Sequence, residues 1–366
     1  MFTIGLEASR ANKVKKTGTE WYAWHMLQQF KKIDRNNKFI IYYNNLLADD
    51  LQEQVPANFL LKRLEWPFGK FWTHLRLGWE LLVHPVDKFF ASNTVPLFSR
   101  GEIIATVHDL GFLKNPELYH PLERLYQKLS HWLIVSKADK IIAPSKETKK
   151  DIIRFYPRAE AKVQVIYHGW DQDYFQPIED IDKEMIRDKY NLPEKFILYI
   201  GRLETKKNIL NLLKAYKKTS RQWPLVLAGR PGNFGYQEIE KLATSEDLKE
   251  HVFILGYVNQ KNYSLLMGAT SMFIFPSKFE GFGIPILEAM GSGVPVLCSD
   301  LPVLREIAQD AALFFNPDDI DDIKTKINDF IADEDLQKQL SGKGKKHCQK
   351  FSWEATARQT IDYILK

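Results

Sequence analysis

"FPSKFEGFGIPILEAMGSGVPVL", from Phe275 to Leu297, sets two carboxylates into an otherwise apolar segment that glycines interrupt. An apolar run ends in Phe-Pro-Ser, a loop with two glycines follows, and a segment of helical period begins near Pro285. Proline is favoured in the first turn of a helix, where its missing N–H costs nothing. Strand, glycine loop and helix in this order predict a parallel α/β sheet with a ligand site outside the carboxyl end of the strand.

The same pattern recurs along the whole chain of 366 residues. Its strand-like runs are apolar throughout, which is typical of parallel strands that helices cover on both faces. The first series is "FTIGLEA", "KFIIYYN", "FLLKRL", "KFFAS", "EIIATVHDL", "KIIAPS" and "KVQVIYHG"; the second is "KFILYIG", "PLVLAG", "VFILGYV", "MFIFPS", "PVLCSD" and "AALFF". Two series predict two doubly wound α/β domains in tandem, because one hydrophobic core rarely serves a chain of this length.

The boundary between the two series falls after "VIYHG", where an acidic and irregular segment begins. We predict an N-terminal Rossmann-like domain over residues 1–172 and a C-terminal Rossmann-like domain over residues 173–350. The pattern of residues 351–366 predicts an amphipathic helix, which packs on one of the two domains. The apolar stripe of this helix consists of Trp353, Ala357, Ile361 and Ile364.

The charge of the chain is unevenly distributed. Up to residue 175 there are 25 Lys and Arg against 19 Asp and Glu, and beyond it 26 against 27. A basic half can face phosphates, an anionic membrane surface or nucleic acid, and composition does not choose among them. A solvated lysine-rich surface is the ordinary alternative. Basic residues are not concentrated in a nucleic-acid reading element, so we expect no nucleic-acid partner.

Several classes of protein are disfavoured. Two cysteines, Cys298 and Cys348, fit neither a disulfide framework nor a metal cage, and the Asp-x-Asp at residues 171–173 lies in the predicted connector. Neither G-x-G-x-x-G after the first strand nor G-x-x-x-x-G-K-[ST] occurs, which disfavours nicotinamide dehydrogenases and P-loop NTPases. A signal-peptide pattern and an apolar run of about 18 residues are lacking, so we expect a cytoplasmic protein.

Aromatic and basic side chains interleave most densely in residues 65–90, "EWPFGKFWTHLRLGWELLVHPVDKFF". One interpretation is an amphipathic element on the inner face of a membrane, which would make the protein a peripheral one. The commoner alternative is buried aromatic packing around one helix.

Glu280 and Glu288 are the two acids of the opening stretch. Gly281 and Gly283 let the backbone approach a ligand, and a helix that begins near Pro285 directs free N–H groups and its positive dipole end toward the same loop. Glu280 then lies in the loop and Glu288 about one turn into the helix, so that both can face one ligand. The alternatives are an exposed loop acid for Glu280 and a first-turn acid favoured by the dipole for Glu288.

Three further motifs follow predicted strands. Arg202 and Lys207 follow "KFILYIG" and suit a diphosphate, which arginine can bind bidentately, although an ordinary basic loop is an even alternative. His108 ends "EIIATVHDL", where it can hydrogen-bond a hydroxyl, act as acid or base, or be merely structural. Gly18, in "KKTGTE", precedes a helix and marks a second phosphate-facing turn.

As a set, these residues resemble the retaining family 4 glycosyltransferases, the "glycosyl transferases group 1" with a Glu-x7-Glu motif. The resemblance rests on the opening stretch and on "YIGRLETKKN", "TVHDLGFLKNPE", "ADKIIAPSKETKKDI", "KVQVIYHGWD", "SDLPVLREIAQDAALFFNPDD" and "FSWEATA". It implies the GT-B fold, in which two Rossmann-like domains have a cleft between them, and a nucleotide-sugar donor that is used without a metal or another cofactor.

The resemblance also implies residue roles. Glu280 contacts hydroxyls of the donor sugar, Glu288 binds the ribose, and Arg202 and Lys207 neutralise the diphosphate. The other donor-binding positions are the amides of Phe282, Gly283 and Ile284, the base-facing strand end Gly256, Tyr257 and Val258, His108 near the sugar, and Gly18 near the diphosphate. Many members of the family have a double glycine at the turn where this chain has Gly18 alone, which weakens that assignment.

The expected function is transfer of a hexose to a hydroxyl of a glycan or lipid-linked glycan, as in polysaccharide biosynthesis. GDP-mannose is the first choice of donor and a UDP-hexose the second. The alternatives are another GT-B activity, either a phosphorylase or a sugar-nucleotide epimerase, and a catalytically silent scaffold that resembles a glycosyltransferase.

Overall fold

The computed structural model describes residues 1–13, 16–68 and 71–366. Contacts divide the chain into two units. Unit 1 consists of Met1–Leu113, Leu122–Gly169 and Phe351–Lys366, and unit 2 of Lys114–Pro121 and Trp170–Lys350. The main break therefore lies at residues 169 and 170, beside the predicted boundary at 172, and the last segment belongs to unit 1.

Unit 1 contains a seven-stranded parallel sheet. Its strands are β1 (Thr3–Glu7), β2 (Lys38–Tyr43), β3 (Phe59–Arg63), β4 (Lys88–Ala91), β5 (Glu102–Thr106), β6 (Lys140–Ala143) and β7 (Val163–Val165). The strand order is β3-β2-β1-β4-β5-β6-β7, so the winding direction reverses between β1 and β4.

Unit 2 contains a six-stranded parallel sheet. Its strands are β8 (Ile197–Ile200), β9 (Leu225–Ala228), β10 (Val252–Gly256), β11 (Met272–Phe275), β12 (Val296–Ser299) and β13 (Leu313–Phe315). The order β10-β9-β8-β11-β12-β13 repeats the topology of unit 1 and places the reversal between β8 and β11. All thirteen strands coincide with the apolar runs that predicted them.

Helices connect successive strands in both units, except between β4 and β5, where the described residues form no helix. The first six are α1 (Gly18–Ile33), α2 (Asp49–Gln52), α3 (Gly78–Val83), α4 (Gly111–Lys114), α5 (Pro121–Lys137) and α6 (Lys146–Phe155). Those of unit 2 are α7 (Asp180–Tyr190), α8 (Ile209–Lys217), α9 (Tyr236–Ala243), α10 (Gln260–Ala269), α11 (Ile284–Gly291), α12 (Pro302–Ala308), α13 (Ile320–Ala332) and α14 (Glu334–Cys348). The chain ends with α15 (Trp353–Leu365) in unit 1, and a π-helical segment, Trp72–Leu77, leads into α3.

The central strands are buried along their whole length because helices cover both sheet faces. Every residue of β8, β9, β11 and β12 is buried, which explains why these runs lack the alternation of a half-exposed strand. The predicted stripe of α15 is buried as well, from Trp353 to Ile364, and Thr356 donates to the Tyr167 carbonyl at 2.8 Å.

The aromatic segment around α3 has two different faces. Trp72, Leu77 and Leu81 are buried, as the core-packing alternative predicted, whereas Phe71 and Trp79 are about 60% exposed. Core packing therefore explains one face of this segment only. Within residues 1–13, 16–68 and 71–366, no helix has the length and apolar content needed to cross a membrane.

Candidate active site

The topology of unit 2 brings three predicted site residues to one place. β8 and β11 are neighbours in the sheet, and the chain leaves them toward opposite sides because the winding reverses there. Such a reversal opens a crevice at the carboxyl ends of the two strands. Arg202 and Lys207 follow β8 and Glu280 follows β11, so all three lie at this crevice.

Lys207 and Glu280 form a partly buried ion pair. The Lys207 Nζ lies 2.5 Å from Glu280 Oε1, and the two side chains are 19% and 13% exposed. Ser277 Oγ donates to the same oxygen at 2.6 Å, and the ammonium also lies 5.6 Å from the centre of the Phe275 ring. Glu280 is thus held by two donors, and its interpretation as an exposed loop acid is wrong.

Arg202 contrasts with Lys207 because its side chain is exposed. Its backbone carbonyl accepts a hydrogen bond from the Tyr199 hydroxyl at 2.9 Å, which fixes the turn after β8. Within the described ranges, no hydrogen bond or ion pair engages its guanidinium. The site therefore contains one paired cation and one cation that is available to an anionic ligand.

The N-terminus of α11 lies in the loop that carries Glu280. Gly283, the residue before the helix, has φ +101°, a conformation that side chains rarely adopt, and a Cβ there would lie 3.0 Å from Leu304 Cδ2. Glycine has no side-chain acceptor, so residue 283 does not cap the first turn of α11. Pro285 has no N–H and the Ile286 N–H donates to the Gly283 carbonyl at 3.0 Å, so the start of α11 offers an anion the Ile284 N–H and the positive dipole end of the helix.

Glu288 lies in the second turn of α11 and is 9% exposed. The Tyr263 hydroxyl donates a short hydrogen bond to its Oε2. Burial raises the pKa of Glu288 to about 8, the charge of Asp171 adds to this effect, and the bond from Tyr263 opposes it. A first-turn acid stabilised by the dipole would show the opposite shift, so that alternative for Glu288 is wrong.

The predicted base-facing positions lie at the ends of β9 and β10. Gly256 has φ +68°, and its carbonyl accepts from the Gly229 N–H at 2.7 Å. The Arg230 guanidinium lies 4.4 Å from the centre of the Tyr257 ring, which is 45% exposed. A flat, exposed cation–aromatic pair at a strand end is a suitable surface for a planar base.

His108 follows β5 in unit 1, and aromatic and imidazole rings lie beside it. Its Nε2 donates to the Ser92 carbonyl at 2.8 Å, and its ring lies 4.9 Å from that of Tyr22 and 5.5 Å from that of His168. Burial lowers the pKa of His108 to about 4. The imidazole is therefore neutral at physiological pH, and Nδ1 is left as a hydrogen-bond acceptor.

Gly18 begins α1, and its surroundings leave room beside it. A Cβ at this position would meet no described atom within 4 Å. The Thr17 N–H donates to the Glu20 carboxylate at 3.1 Å, and Arg10 and Lys13 pair with the same carboxylate. Although burial disfavours its charge, these partners lower the pKa of Glu20 to about 2. The protein's own fold does not require glycine at position 18, and an internal carboxylate already occupies the start of the helix.

The predicted residues fall in two groups. Gly18 and His108 belong to unit 1 and the other ten to unit 2.

Sequence reasoning missed Ser277, Tyr263 and Arg230. Ser277 lies three residues before Glu280 and Arg230 directly follows a strand and a glycine, so both carried a weak signal; Tyr263 carried none. Among the described residues, no cluster of three or more His, Cys, Asp or Glu has the arrangement of a metal site.

Comparison with known proteins agrees with this geometry. Residues 17–174 match the family "Glycosyltransferase Family 4" and residues 182–347 match "Glycosyl transferases group 1". The chain is 33% identical over 268 residues to O-antigen chain mannosyltransferase B of Escherichia coli, covering 71% of this chain and 69% of that protein. It is 31% identical over 271 residues to the serotype-specific mannosyltransferase WbdA of Escherichia coli, covering 71% of this chain but only 33% of WbdA.

A similar fold occurs in a solved structure of Anabaena Alr3699/HepE in complex with UDP and glucose. The TM-score is 0.78 at 19% sequence identity, and the match covers 100% of both chains. Two parallel Rossmann-like sheets of this kind are the GT-B fold, and the protein is a glycosyltransferase. The chain belongs to glycosyltransferase family 4, as its motifs predicted.

Proposed function

We propose that this glycosyltransferase moves mannose from GDP-mannose to a hydroxyl of a glycan or lipid-linked glycan, with retention of the anomeric configuration. The mannosyl donor is supported by the two Escherichia coli relatives, which are named mannosyltransferases. The chemistry is supported by one observation above all. At the crevice between β8 and β11, Lys207 is paired with Glu280 while Arg202 is free to bind an anion.

The cations stabilise the leaving group. When the bond between the anomeric carbon and the phosphate oxygen breaks, negative charge develops on the departing nucleoside diphosphate. Arg202, Lys207 and the positive dipole end of α11 supply positive charge at that place, so the proposed reaction needs no metal ion. Arg202 contributes most because its charge is not already balanced by a carboxylate.

The two acids bind different parts of the donor. The hydrogen bonds to Glu280 from Lys207 and Ser277 both use Oε1, so Oε2 can accept from a hydroxyl of the sugar. Glu288 lies deeper and accepts from ribose hydroxyls while Tyr263 fixes its carboxyl group. His108 is proposed to accept a further sugar hydroxyl at Nδ1. Gly18 is proposed to face the diphosphate, and Gly256, Tyr257 and Val258 the base.

Retention follows if the acceptor attacks from the side of the leaving group. The acceptor oxygen forms a bond to the anomeric carbon as the bond to the phosphate oxygen breaks, and the acceptor proton passes to a diphosphate oxygen. A double displacement would instead require a protein nucleophile beside the anomeric carbon, and the sequence offers no convincing candidate for one. The configuration of the new linkage, measured by NMR on the product, tests retention, and a trapped covalent glycosyl-enzyme would show a double displacement in place of attack from the leaving-group side.

Thermal shift with GDP-, UDP- and dTDP-sugars tests the donor. Specific stabilisation by GDP-mannose supports the proposal, stabilisation by a UDP-hexose would replace mannose with that hexose, and stabilisation by none would contradict a nucleotide-sugar donor. Release of nucleoside diphosphate separates the remaining alternatives. An epimerase releases none stoichiometrically, a phosphorylase requires inorganic phosphate, and a silent scaffold turns nothing over. Activity that survives EDTA supports the metal-independent reaction.

A further inference from the structure

Two helical segments of unit 1 each expose a stripe of large apolar side chains. The first runs at four-residue spacing through the π-helical segment and α3, and its members are between 40% and 60% exposed. The second runs along α5, with exposures between 52% and 73%. The first stripe is Phe71, Leu75, Trp79 and Val83; the second is Leu122, Leu125, Tyr126, Leu129 and Trp132.

The stripes meet in one groove of about 430 Å³. Phe71 and Leu75 of the first stripe line one side, Tyr126 and Leu129 of the second line the other, and Leu97 lies with them. We call the two stripes with this groove the apolar patch. Single exposed apolar residues are normal on a folded protein, whereas a contiguous set of this kind marks an interaction surface.

The fold of unit 1 does not require the apolar patch. Both segments already contribute other side chains to the core, Trp72, Leu77 and Leu81 from the first and Ile134 and Val135 from α5. The exposed side chains therefore lie on faces that the unit leaves uncovered. The sequence indicated a membrane element only in residues 65–90, and the structure adds the exposed apolar side chains of α5.

Cations border the apolar patch. Arg100 and Lys137 line a neighbouring pocket that shares Leu97 with the groove. Lys128 lies on α5, and in the described residues none of these three cations has an ion pair. Two of the acids nearby are paired with other cations, and a third accepts a backbone hydrogen bond. Glu80 pairs with Lys62 at 2.6 Å, Glu102 with Lys140 at 2.6 Å, and Asp139 accepts from the Ile103 N–H at 2.8 Å.

We propose that the apolar patch docks on a bilayer that contains anionic lipids. Trp79, Trp132 and Tyr126 have the amphipathic rings that settle at the boundary between headgroups and acyl chains. Arg100, Lys128 and Lys137 then face lipid phosphates, which attract basic residues near the surface. An uncharged apolar partner would leave these cations without counter-charges. This inference is independent of the donor chemistry.

Co-sedimentation with large vesicles tests the docking, using phosphatidylcholine alone or mixed with phosphatidylglycerol. We expect binding to the mixed vesicles that weakens with salt. The Trp79→Ser/Trp132→Ser variant should lose at least about tenfold in partition, since each buries a large ring. The Arg100→Glu/Lys128→Glu/Lys137→Glu variant should weaken by about fivefold or more for each cation.

Matched controls come from exposed residues of unit 2. Ile181→Ser/Met185→Ser removes two apolar side chains that are 71% and 50% exposed, and Lys338→Glu/Lys346→Glu reverses two unpaired surface charges. Both controls should bind vesicles like the unmodified protein, and all variants should melt at similar temperatures. Equal binding to both vesicle types, or patch variants that behave like the controls, would overturn the proposal. A dimer in sedimentation velocity that only the patch variants lose would also overturn the proposal, because the apolar patch would then bind a second copy of this chain.

Discussion

The two sheets share a strand order, but the side chains that follow their strands differ in charge. At the edge in unit 2, Lys207 and Glu280 remain a charged pair, and Arg202 extends into solvent. At the edge in unit 1, His108 lies against Tyr22 and His168. Burial lowers the pKa of His108 to about 4 and that of His168 well below its usual value.

The difference shows that a shared topology positions side chains without setting their chemistry. A carboxylate–ammonium pair keeps both charges at the switch point of unit 2, where a diphosphate would leave. Aromatic and imidazole neighbours surround His108, and burial keeps it neutral, which suits hydrogen bonding to hydroxyls, whereas Arg10, Lys13 and Glu20 form a charged cluster near the start of α1. We expect substitutions in unit 2 to alter catalysis strongly and substitutions in unit 1 to alter it weakly.

Arg202→Ala should give the largest effect. It removes a cation beside the leaving group that no carboxylate balances among the described residues, so kcat should fall by about 10²- to 10³-fold, the usual loss when one preorganised group that stabilises developing charge is removed. Steady-state release of nucleoside diphosphate measures this. Arg202→Lys should recover part of the loss as a point charge. A kcat near that of the unmodified enzyme in Arg202→Ala, with an unchanged melting temperature, would refute the assignment of the leaving-group site.

Glu280→Gln should follow in size. The amide keeps the shape of the side chain but loses the charged acceptor for the sugar hydroxyl and for Lys207, so kcat/KM should fall by about 10- to 100-fold. Ser277→Ala removes one donor to the same Oε1 and serves as the milder comparison. If Glu280→Gln retained full activity while Ser277→Ala did not, the loop rather than the carboxylate would be the functional element.

Glu288 should make donor binding depend on pH. Burial raises its pKa to about 8, so the carboxyl group is largely protonated at neutral pH. Ribose hydroxyls that donate to it favour the ionised form. Donor affinity should then rise with pH up to about pH 8, by at most about tenfold per unit, because one proton is released on binding.

Isothermal titration of GDP at several pH values measures this dependence. Glu288→Gln should flatten it, since the amide does not titrate. Tyr263→Phe removes the hydrogen bond that opposes the upward pKa shift, so the midpoint should move to higher pH. An affinity that is independent of pH in the unmodified protein would show that the ribose does not use the Glu288 carboxylate.

Most of the fold and part of the site could be predicted from the sequence. Strands of a parallel sheet are buried on both faces, so each appears as an apolar run, and residues after neighbouring strands must meet at one edge. That reasoning placed Lys207 and Glu280 each after the end of a strand, and the structure shows that they pair over 73 positions. It also located His108, because the residue directly follows a strand.

Burial of individual polar groups was not predictable in the same way. The apolar run around Glu288 fits a buried acid and a first-turn acid equally well, and only packing shows that Tyr263, 25 positions earlier, donates to it. The exposure of α5 was hidden for a related reason. Its leucines have the spacing of a core stripe, and sequence alone does not show which of two apolar faces the sheet covers.

Substitution of His108 should have the smallest effect on activity, and it tests whether the imidazole is neutral. His108→Leu removes one uncharged acceptor, so kcat/KM should fall by about 3- to 10-fold, whereas His108→Asn, which keeps an oxygen near the position of Nδ1, should lose less. Because burial lowers the pKa of His108 to about 4, the imidazole is already neutral from pH 5 to 8, and the pH profile of kcat/KM should contain no limb that depends on it. A limb near pH 6.5 that disappears in His108→Asn would show a protonating histidine, and the contrast between the charged Lys207–Glu280 pair of unit 2 and the neutral His108 of unit 1 would fail.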